Sequence, residues 1–330
     1  MTTHIGLAHG NGGRRTRALI DDLFAATLGD LAPDTSVDAA RLQLGGDAWA
    51  MTVDGHTVAP IEFPGGDLGS LAAHGTINDL AVAGAQPQYF TLSAILEEGL
   101  DVAVLQRLVE SFAAACREAG VRVVAGDTKV VPRGHGGGAY FTTTGLGPVR
   151  APQLGMDKVR PGDRIVVSGP IGDHGVAVMF AREQFDMRGD LRSDCASVLP
   201  LCQLAWEMPG VRFMRDPTRG GLATVALEVA RSIDCTLTLD EATIPLRDPV
   251  ASVCEMLGFD PYVLACEGRV VAFVAPEAAE ALCIRWRDAG EATAIIGTVE
   301  AGPAAVQLRT SLGGLRTLDE LDGDPLPRIC

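Results

Sequence analysis

Five aspartates, Asp47, Asp54, Asp79, Asp127 and Asp216, stand at strand ends or on helices beside glycines. A carboxylate in such a place either closes a turn or ligates a hard cation such as Mg²⁺. Asp79 favours the second role. It follows Asn78 on a segment otherwise rich in Ala and Leu, where a charge needs a partner and a metal is a good one. Gly126-Asp127-Thr128-Lys129 joins a close backbone approach, a carboxylate, a hydroxyl and a cation, the ingredients of a phosphate corner. Arg215-Asp216-Pro217-Thr218-Arg219-Gly220-Gly221 is a second such corner ahead of a predicted helix, whose N-terminus favours anions; a plain cap by Asp216 or Thr218 is the alternative.

Three further features carry reactive groups. The loop His9-Gly10-Asn11-Gly12-Gly13 offers backbone N–H groups to phosphates, or is simply a turn; no GK[ST] follows, so it is not a Walker A loop. Glu267 lies between the apolar runs 262–265 and 270–274, which places it in a hairpin turn or in a site, and the pattern alone favours the turn. Cys330 ends a Pro-Leu-Pro-Arg-Ile segment. The prolines favour an extended chain that reaches out of the body, so the thiol reads as a mobile nucleophile or carrier rather than a core residue.

The elements that must position these groups alternate. Strands are predicted near 48–53, 88–96, 121–125 (buried) and 139–146, with helices after Asp67 and over 102–119, and a helix near 16–28 before them. The second half carries strands near 163–168, 235–240, 262–266, 270–275, 293–299 and 305–309, with helices at 174–183, 195–206 and 221–232. Alternation in both halves gives an α/β (α+β) class with two layers per domain. The boundaries are 1–40 for an N-terminal arm with the glycine loop, 41–150 for a first α/β domain, 151–320 for a second, and 321–330 for the tail.

Bulk numbers narrow the function. The 330 residues suit two domains, and 47% hydrophobic residues supply two cores, mostly aliphatic because aromatics are 5%. A net charge of −15 without a dense Lys/Arg run speaks against nucleic acid and against anionic lipid. The eight cysteines form no CxxC pair, so a zinc ribbon is not expected and reduced cytosolic thiols are. No secretory h-region and no run of about 20 apolar residues is found, so the expected location is the cytoplasm, with no membrane partner.

Taken together, the motifs Pro64-Gly65-Gly66-Asp67, Asn78-Asp79-Leu80-Ala81, Gly126-Asp127-Thr128-Lys129, Ile171-Gly172-Asp173-His174-Gly175, Leu191-Arg192-Ser193-Asp194-Cys195, Arg215 to Gly221 and Pro327-Arg328-Ile329-Cys330 resemble the HypE family, carbamoyl dehydratases of [NiFe]-hydrogenase assembly. The ending is the most specific piece. The other motifs are shared with aminoimidazole-ribonucleotide synthetase, selenophosphate synthetase and thiamine-monophosphate kinase. The resemblance implies an aminoimidazole-ribonucleotide-synthetase-like fold of two α/β domains, with ATP in a cleft on the first. It also implies a homodimer whose first-domain strands form a barrel. By the same resemblance Asp54, Asp79, Asp127 and Asp216 match Mg²⁺ and phosphate positions. Gly10, Asn11, Gly12, Gly13, Asp127, Thr128, Lys129, Arg215 and Thr218 then cradle the nucleotide, and Lys129 and Glu267 lie near the reacting group on Cys330. Two positions depart from the pattern: Cys266 replaces an Asn, and 51–56 replaces a Thr-Thr-Asp-Ser type run.

The activity so implied is ATP-dependent dehydration of an S-carbamoyl group on Cys330 to a thiocyanate. A carbamoyltransferase, HypF, would load the thiol, and an iron scaffold complex, HypC–HypD, would take the cyanide. The alternatives are another ATP-dependent enzyme of the superfamily, or a non-catalytic carrier presenting Cys330. A selenophosphate synthetase would want a reactive Cys near its N-terminus, yet the first cysteine is Cys116.

Overall fold

The computed structural model describes residues 13–28, 39–182, 191–319, 326 and 328–330. Gly10, Asn11 and Gly12 of the glycine loop, and residues 320–325 and Pro327 of the tail, lie outside them.

An N-terminal helical arm comprises α1 (Arg14–Leu19), a π-helical turn over Ile20–Ala25 and α2 (Ala26–Leu28). The first sheet has the order β1-β2-β7-β5-β6, made of β1 (Ala40–Leu44), β2 (Asp47–His56), β5 (Tyr89–Glu97), β6 (Arg122–Val131) and β7 (Ala139–Pro148). A two-residue pair, β3 (Glu62–Phe63) and β4 (Gly66–Asp67), leads into the helix α3 (Leu68–Val82).

The helix α3 starts where the sequence says it should. The Asp67 carboxylate accepts from Ser70 N at 2.8 Å while Ser70 Oγ accepts from Asp67 N at 2.9 Å, a reciprocal capping box. Its residues Leu68, Leu71, Ile77 and Leu80 are fully buried. Each such side chain contributes about 1.5–3 kcal/mol relative to exposure. The helix therefore sits against the sheet on one side and against α6 (Leu199–Trp206) of the second domain on another. The amphipathic helix α4 (Val102–Glu118) covers α3 and buries only Leu108, Phe112, Ala115 and Cys116.

The second sheet has the order β14-β13-β10-β12-β8-β11-β9. Its strands are β8 (Arg164–Val167), β9 (Val211–Arg215), β10 (Thr236–Asp240), β11 (Val271–Val274), β12 (Ala294–Glu300), β13 (Ala305–Arg309) and β14 (Leu315–Thr317). The helices are α5 (Asp173–Ala181), α6, α7 (Gly221–Ile233), α8 (Asp248–Leu257) and α9 (Pro276–Asp288). Among the described residues no helix is long and apolar enough to cross a membrane.

Several expectations are corrected. The strand expected at 121–125 runs through Val131, and it is exposed rather than buried because it is the edge strand of its sheet and α4 packs on α3 far more than on it. Residues 191–198 are not helical, so α6 begins later than expected. Residues 262–266 form no strand; a 3-10 turn over Pro261–Val263 runs into irregular backbone. Strand β9 and helices α8 and α9 were not anticipated, although both helices open with Pro at the first turn and α8 ends on Gly258 in the left-handed region.

Candidate active site

Strand β2 alternates, so Thr52, Asp54 and His56 point to the face that α3 covers. Thr52 Oγ1 donates to Asp79 Oδ2 at 2.7 Å, and His56 Nε2 lies 3.3 Å from Asp54 Oδ2. Burial lowers the His56 pKa, Asp54 works against that, and Arg219 adds to the lowering.

Next to Asp79 on α3, Asn78 does a different job. Its Nδ2 donates to the carbonyls of Ala196 at 3.0 Å and Glu267 at 3.3 Å, and its Oδ1 accepts from Val198 N at 2.8 Å. One buried amide thus ties two second-domain loops to the first-domain helix. The Pro64-Gly65-Gly66 turn meets the same loop: Pro64 O accepts from Ser193 N at 2.8 Å, and Gly65, at φ +99°, leaves no room for a Cβ beside the Ser193 backbone.

Glu267 is buried, and among the described residues its Oε1 has no hydrogen-bond partner. Its N–H donates to Asp194 Oδ1 at 3.1 Å, and a Cβ at Gly268 would collide with the Asp194 carbonyl oxygen. Burial pushes the carboxyl well above the usual carboxylate range; Asp216, Asp194 and Asp54 push it further, and Arg219 opposes them. Neighbouring Arg269 is locked by Asp194, at 3.4 Å, and Glu291, at 3.0 Å. Glu267 is therefore not in a hairpin turn, since 262–266 form no strand.

A cavity of about 540 Å³ lies between the domains. Asp79 from α3, Arg215, Asp216, Thr218 and Arg219 from the β9–α7 loop, and Thr16 and Arg17 from the arm line it. Thr218 and Arg219, just ahead of the α7 N-terminus, and Thr224 and Glu228 on its flank line it, and a helix start nearby is a favourable place for phosphate. Arg215 reaches Glu228 at 3.1 Å, and Arg17 reaches the same carboxylate at 3.4 Å.

The predicted metal set does not gather in one chain. Pairing across the sheet puts Asp127 in the row of Ser93, Thr142 and Gly55, whereas Asp54 shares its row with Thr143, Leu92 and Gly126. Row neighbours share a face, so Asp127 and Asp54 point to opposite faces, roughly 14 Å apart across three strand spacings. Lys129 shares Asp127's face and pairs with it at 2.7 Å, both exposed. Among the described residues no group of three His, Cys, Asp or Glu side chains is placed to hold a metal. Asp79 and Asp216, facing one cavity, nevertheless suit Mg²⁺, which takes one or two carboxylates and completes its shell with water and phosphate oxygens.

The tail is docked, contrary to the expectation that it reaches out. Ile329 is buried, Leu326 is buried, and Cys330 is half-buried. Thr57 N donates to the main-chain oxygen of Cys330 at 3.1 Å, and Ala59 N donates to Arg328 O at 3.1 Å. Arg328 lies over the Tyr140 ring at 5.5 Å, with its Nε donating to Thr57 O. The apolar Ile329 overrides the prolines, because burying it outweighs the extended chain's freedom. Cys330 thus rests beside the residue that follows His56.

Family models match both halves: AIR synthase related protein, N-terminal domain, over residues 36–149, and the C-terminal domain over 160–308. Carbamoyl dehydratase HypE of Azotobacter vinelandii is 47% identical over 332 residues, spanning 99% of this chain and 97% of that protein. The chain belongs to the HypE family. Within it, the solved HypE–HypF complex superposes with a TM-score of 0.85 at 37% identity, covering 92% of this chain and 100% of that one. A HypE structure in complex with ATP gives a TM-score of 0.82 at 42% identity, covering 99% and 100%. The aminoimidazole-ribonucleotide-synthetase-like fold expected from the motifs is the fold observed.

His56, Asn78, His174, Ser193 and Asp194 pack around these groups, and the sequence reading gave them no role. Four of them sit in quoted motifs, but Asn78 meets Ala196 and His174 meets Ile329 across more than a hundred residues, and no local spacing signals such a contact.

Proposed function

We propose that this chain uses ATP and Mg²⁺ to dehydrate a carbamoyl group carried on its own Cys330, leaving a thiocyanate. The observation that carries the reading is the docked tail, which seats Cys330 at the end of the strand bearing Asp54, in a fold whose buried Glu267 stands nearby in the same cluster of acids. Residues 41–150 form the nucleotide half, 151–320 the half that supplies Glu267, Arg215, Asp216 and Thr218, and 321–330 the carrier.

The chemistry balances as follows. The oxygen of S–C(=O)–NH₂ takes the γ-phosphoryl group of ATP, both N–H protons leave, phosphate departs with that oxygen, and S–C≡N remains with ADP. A carboxyl whose pKa is raised by burial is a stronger base once ionised, which suits Glu267 to accept an N–H proton. Asp79 and Asp216 would hold Mg²⁺, which would spread phosphoryl charge. Arg215, Thr218 and the α7 N-terminus would hold phosphate oxygens, with Gly10 to Gly13 closing over them. Lys129 and Asp127 enter through a homodimer: pairing of the open sheet face that bears them buries exposed Met51 and Val53 and brings one copy's Lys129 toward the other's site, where it stabilises developing oxyanion charge. A HypF-type carbamoyltransferase loads Cys330, and a HypC–HypD-type iron scaffold receives the cyanide, all in the cytoplasm.

Intact mass tests the reading. After incubation with the carbamoylation partner the protein should gain one carbamoyl group, and on adding Mg-ATP it should lose one water. A carbamoylated protein that keeps its mass with Mg-ATP present would leave only a carrier. Asp79→Asn keeps the size and the Thr52 hydrogen bond but removes the charge facing the cavity. A folded variant is expected with ATP turnover reduced on the order of a hundredfold or more; turnover unchanged at saturating Mg-ATP would take Asp79 out of the site.

A further inference from the structure

We propose that His174 is a positioning residue, the latch that holds the carrier tail docked and so sets how Cys330 is divided between its own site and a partner's. The proposal rests on the carrier reading above, and it follows from geometry that the dehydration chemistry does not use.

His174 lies fully buried on α5. Its Nε2 is 2.7 Å from the carbonyl oxygen of Ile329, and its Nδ1 is 2.8 Å from Ser193 Oγ. A carbonyl only accepts, so Nε2 carries the proton. Nδ1 of the neutral ring is then an acceptor, and the Ser193 hydroxyl donates to it while accepting from Cys195 N at 2.9 Å. Burial keeps the ring neutral and the Phe63 edge packs against it at 5.3 Å, which fixes the orientation. A second clamp acts one residue earlier: Arg182 donates to Arg328 O and to Ala59 O, each at 2.7 Å.

Both contacts to the tail, from His174 and from Arg182, grip a main-chain oxygen. The latch therefore reads the path of the tail and is blind to what Sγ carries, whether hydrogen, carbamoyl or cyanide. A carrier that must dock twice, once loaded and once converted, needs such a grip. It is also weak enough to release, since a few hydrogen bonds are exchanged for water on undocking.

The test is the rate at which iodoacetamide labels Cys330, followed by mass on the peptide beginning at Asp324, together with single-turnover dehydration of preloaded protein. His174→Ala and Arg182→Met should each raise labelling about tenfold, the worth of one strong hydrogen bond. Dehydration should slow to a similar degree, with ATP affinity unchanged. His174→Gln, which retains a donor toward Ile329, should move both rates back toward wild type, a rescue that a merely structural role for the ring would not give. A folded His174→Ala with wild-type labelling, or a Gln variant no better than Ala, overturns the proposal. If His174→Ala does not fold, Arg182→Met decides alone, and wild-type labelling there overturns it. Labelling needs neither ATP nor partner, so wild-type protein that fails to lose water sinks the dehydratase reading while the latch is still judged.

Discussion

Cys330→Ala should give a folded protein that binds ATP and yields no thiocyanate at all. The buried Leu326 and Ile329 side chains, Arg328 over Tyr140 and the main-chain oxygens of 328 and 329 all anchor the tail and are kept in the variant, so docking should survive. Removing one half-buried sulfur should change stability by no more than about 1 kcal/mol. The loss of function should nevertheless be complete, because the cargo has no other atom to bond. Six of the other seven cysteines are buried and Cys195 is half-buried. Burial raises the Cys195 thiol pKa, as do Glu267 and Asp194, so it is a poor nucleophile. Intact mass after incubation with the carbamoylation partner should show no added carbamoyl group. If the mass still rose, and fell by one water with ATP, the cargo would sit elsewhere and the mechanism would be wrong.

Glu267→Gln should lower the dehydration rate about 10²–10⁴-fold, the usual loss with a general base, while ATP still binds. The amide keeps the size of the side chain, and the Glu267 backbone contacts to Asp194 and Asn78 do not depend on its headgroup. Stability should move the other way. The folded carboxyl is raised well above its ordinary value, so the native state keeps a proton that the unfolded chain releases once the pH passes the usual glutamate range. That contribution is full below the unfolded pKa and is lost as the pH climbs toward the folded one. Wild-type Tm should thus fall more than the variant's as the pH rises above the ordinary glutamate range. Wild-type turnover in the variant would return Glu267 to a packing role.

The parts of this molecule that follow from local rules were legible in the chain. Asp67 caps α3, the stripe of Leu108, Phe112 and Cys116 makes α4, and Gly220 precedes α7. The residues that bear chemistry were visible by type, and Asp79, Asp216 and Thr218 do face one cavity. What stayed hidden is set by pairing register and by distant contacts. Nothing near Asp127 in sequence says that β6 turns it to the face opposite Asp54; that follows only from a strand order of β2-β7-β5-β6. Nothing in a Pro-rich ending says that a histidine more than 150 residues earlier will hold it. The same applies to Glu267, whose local pattern of apolar runs fits a hairpin, while its surroundings are built by Asp194, Asp216 and Asp54.

The open edge made by β6 has a further cost for the living cell. Among the described residues β6 pairs on one side only, so its outer backbone and Val123, Val124 and Val130 form a template that an extended chain can join. The charged pair Asp127–Lys129, in the middle of this apolar run, acts as a gatekeeper. The two residues that the sequence singled out for a phosphate corner are therefore also suited to keep this edge from pairing with other chains.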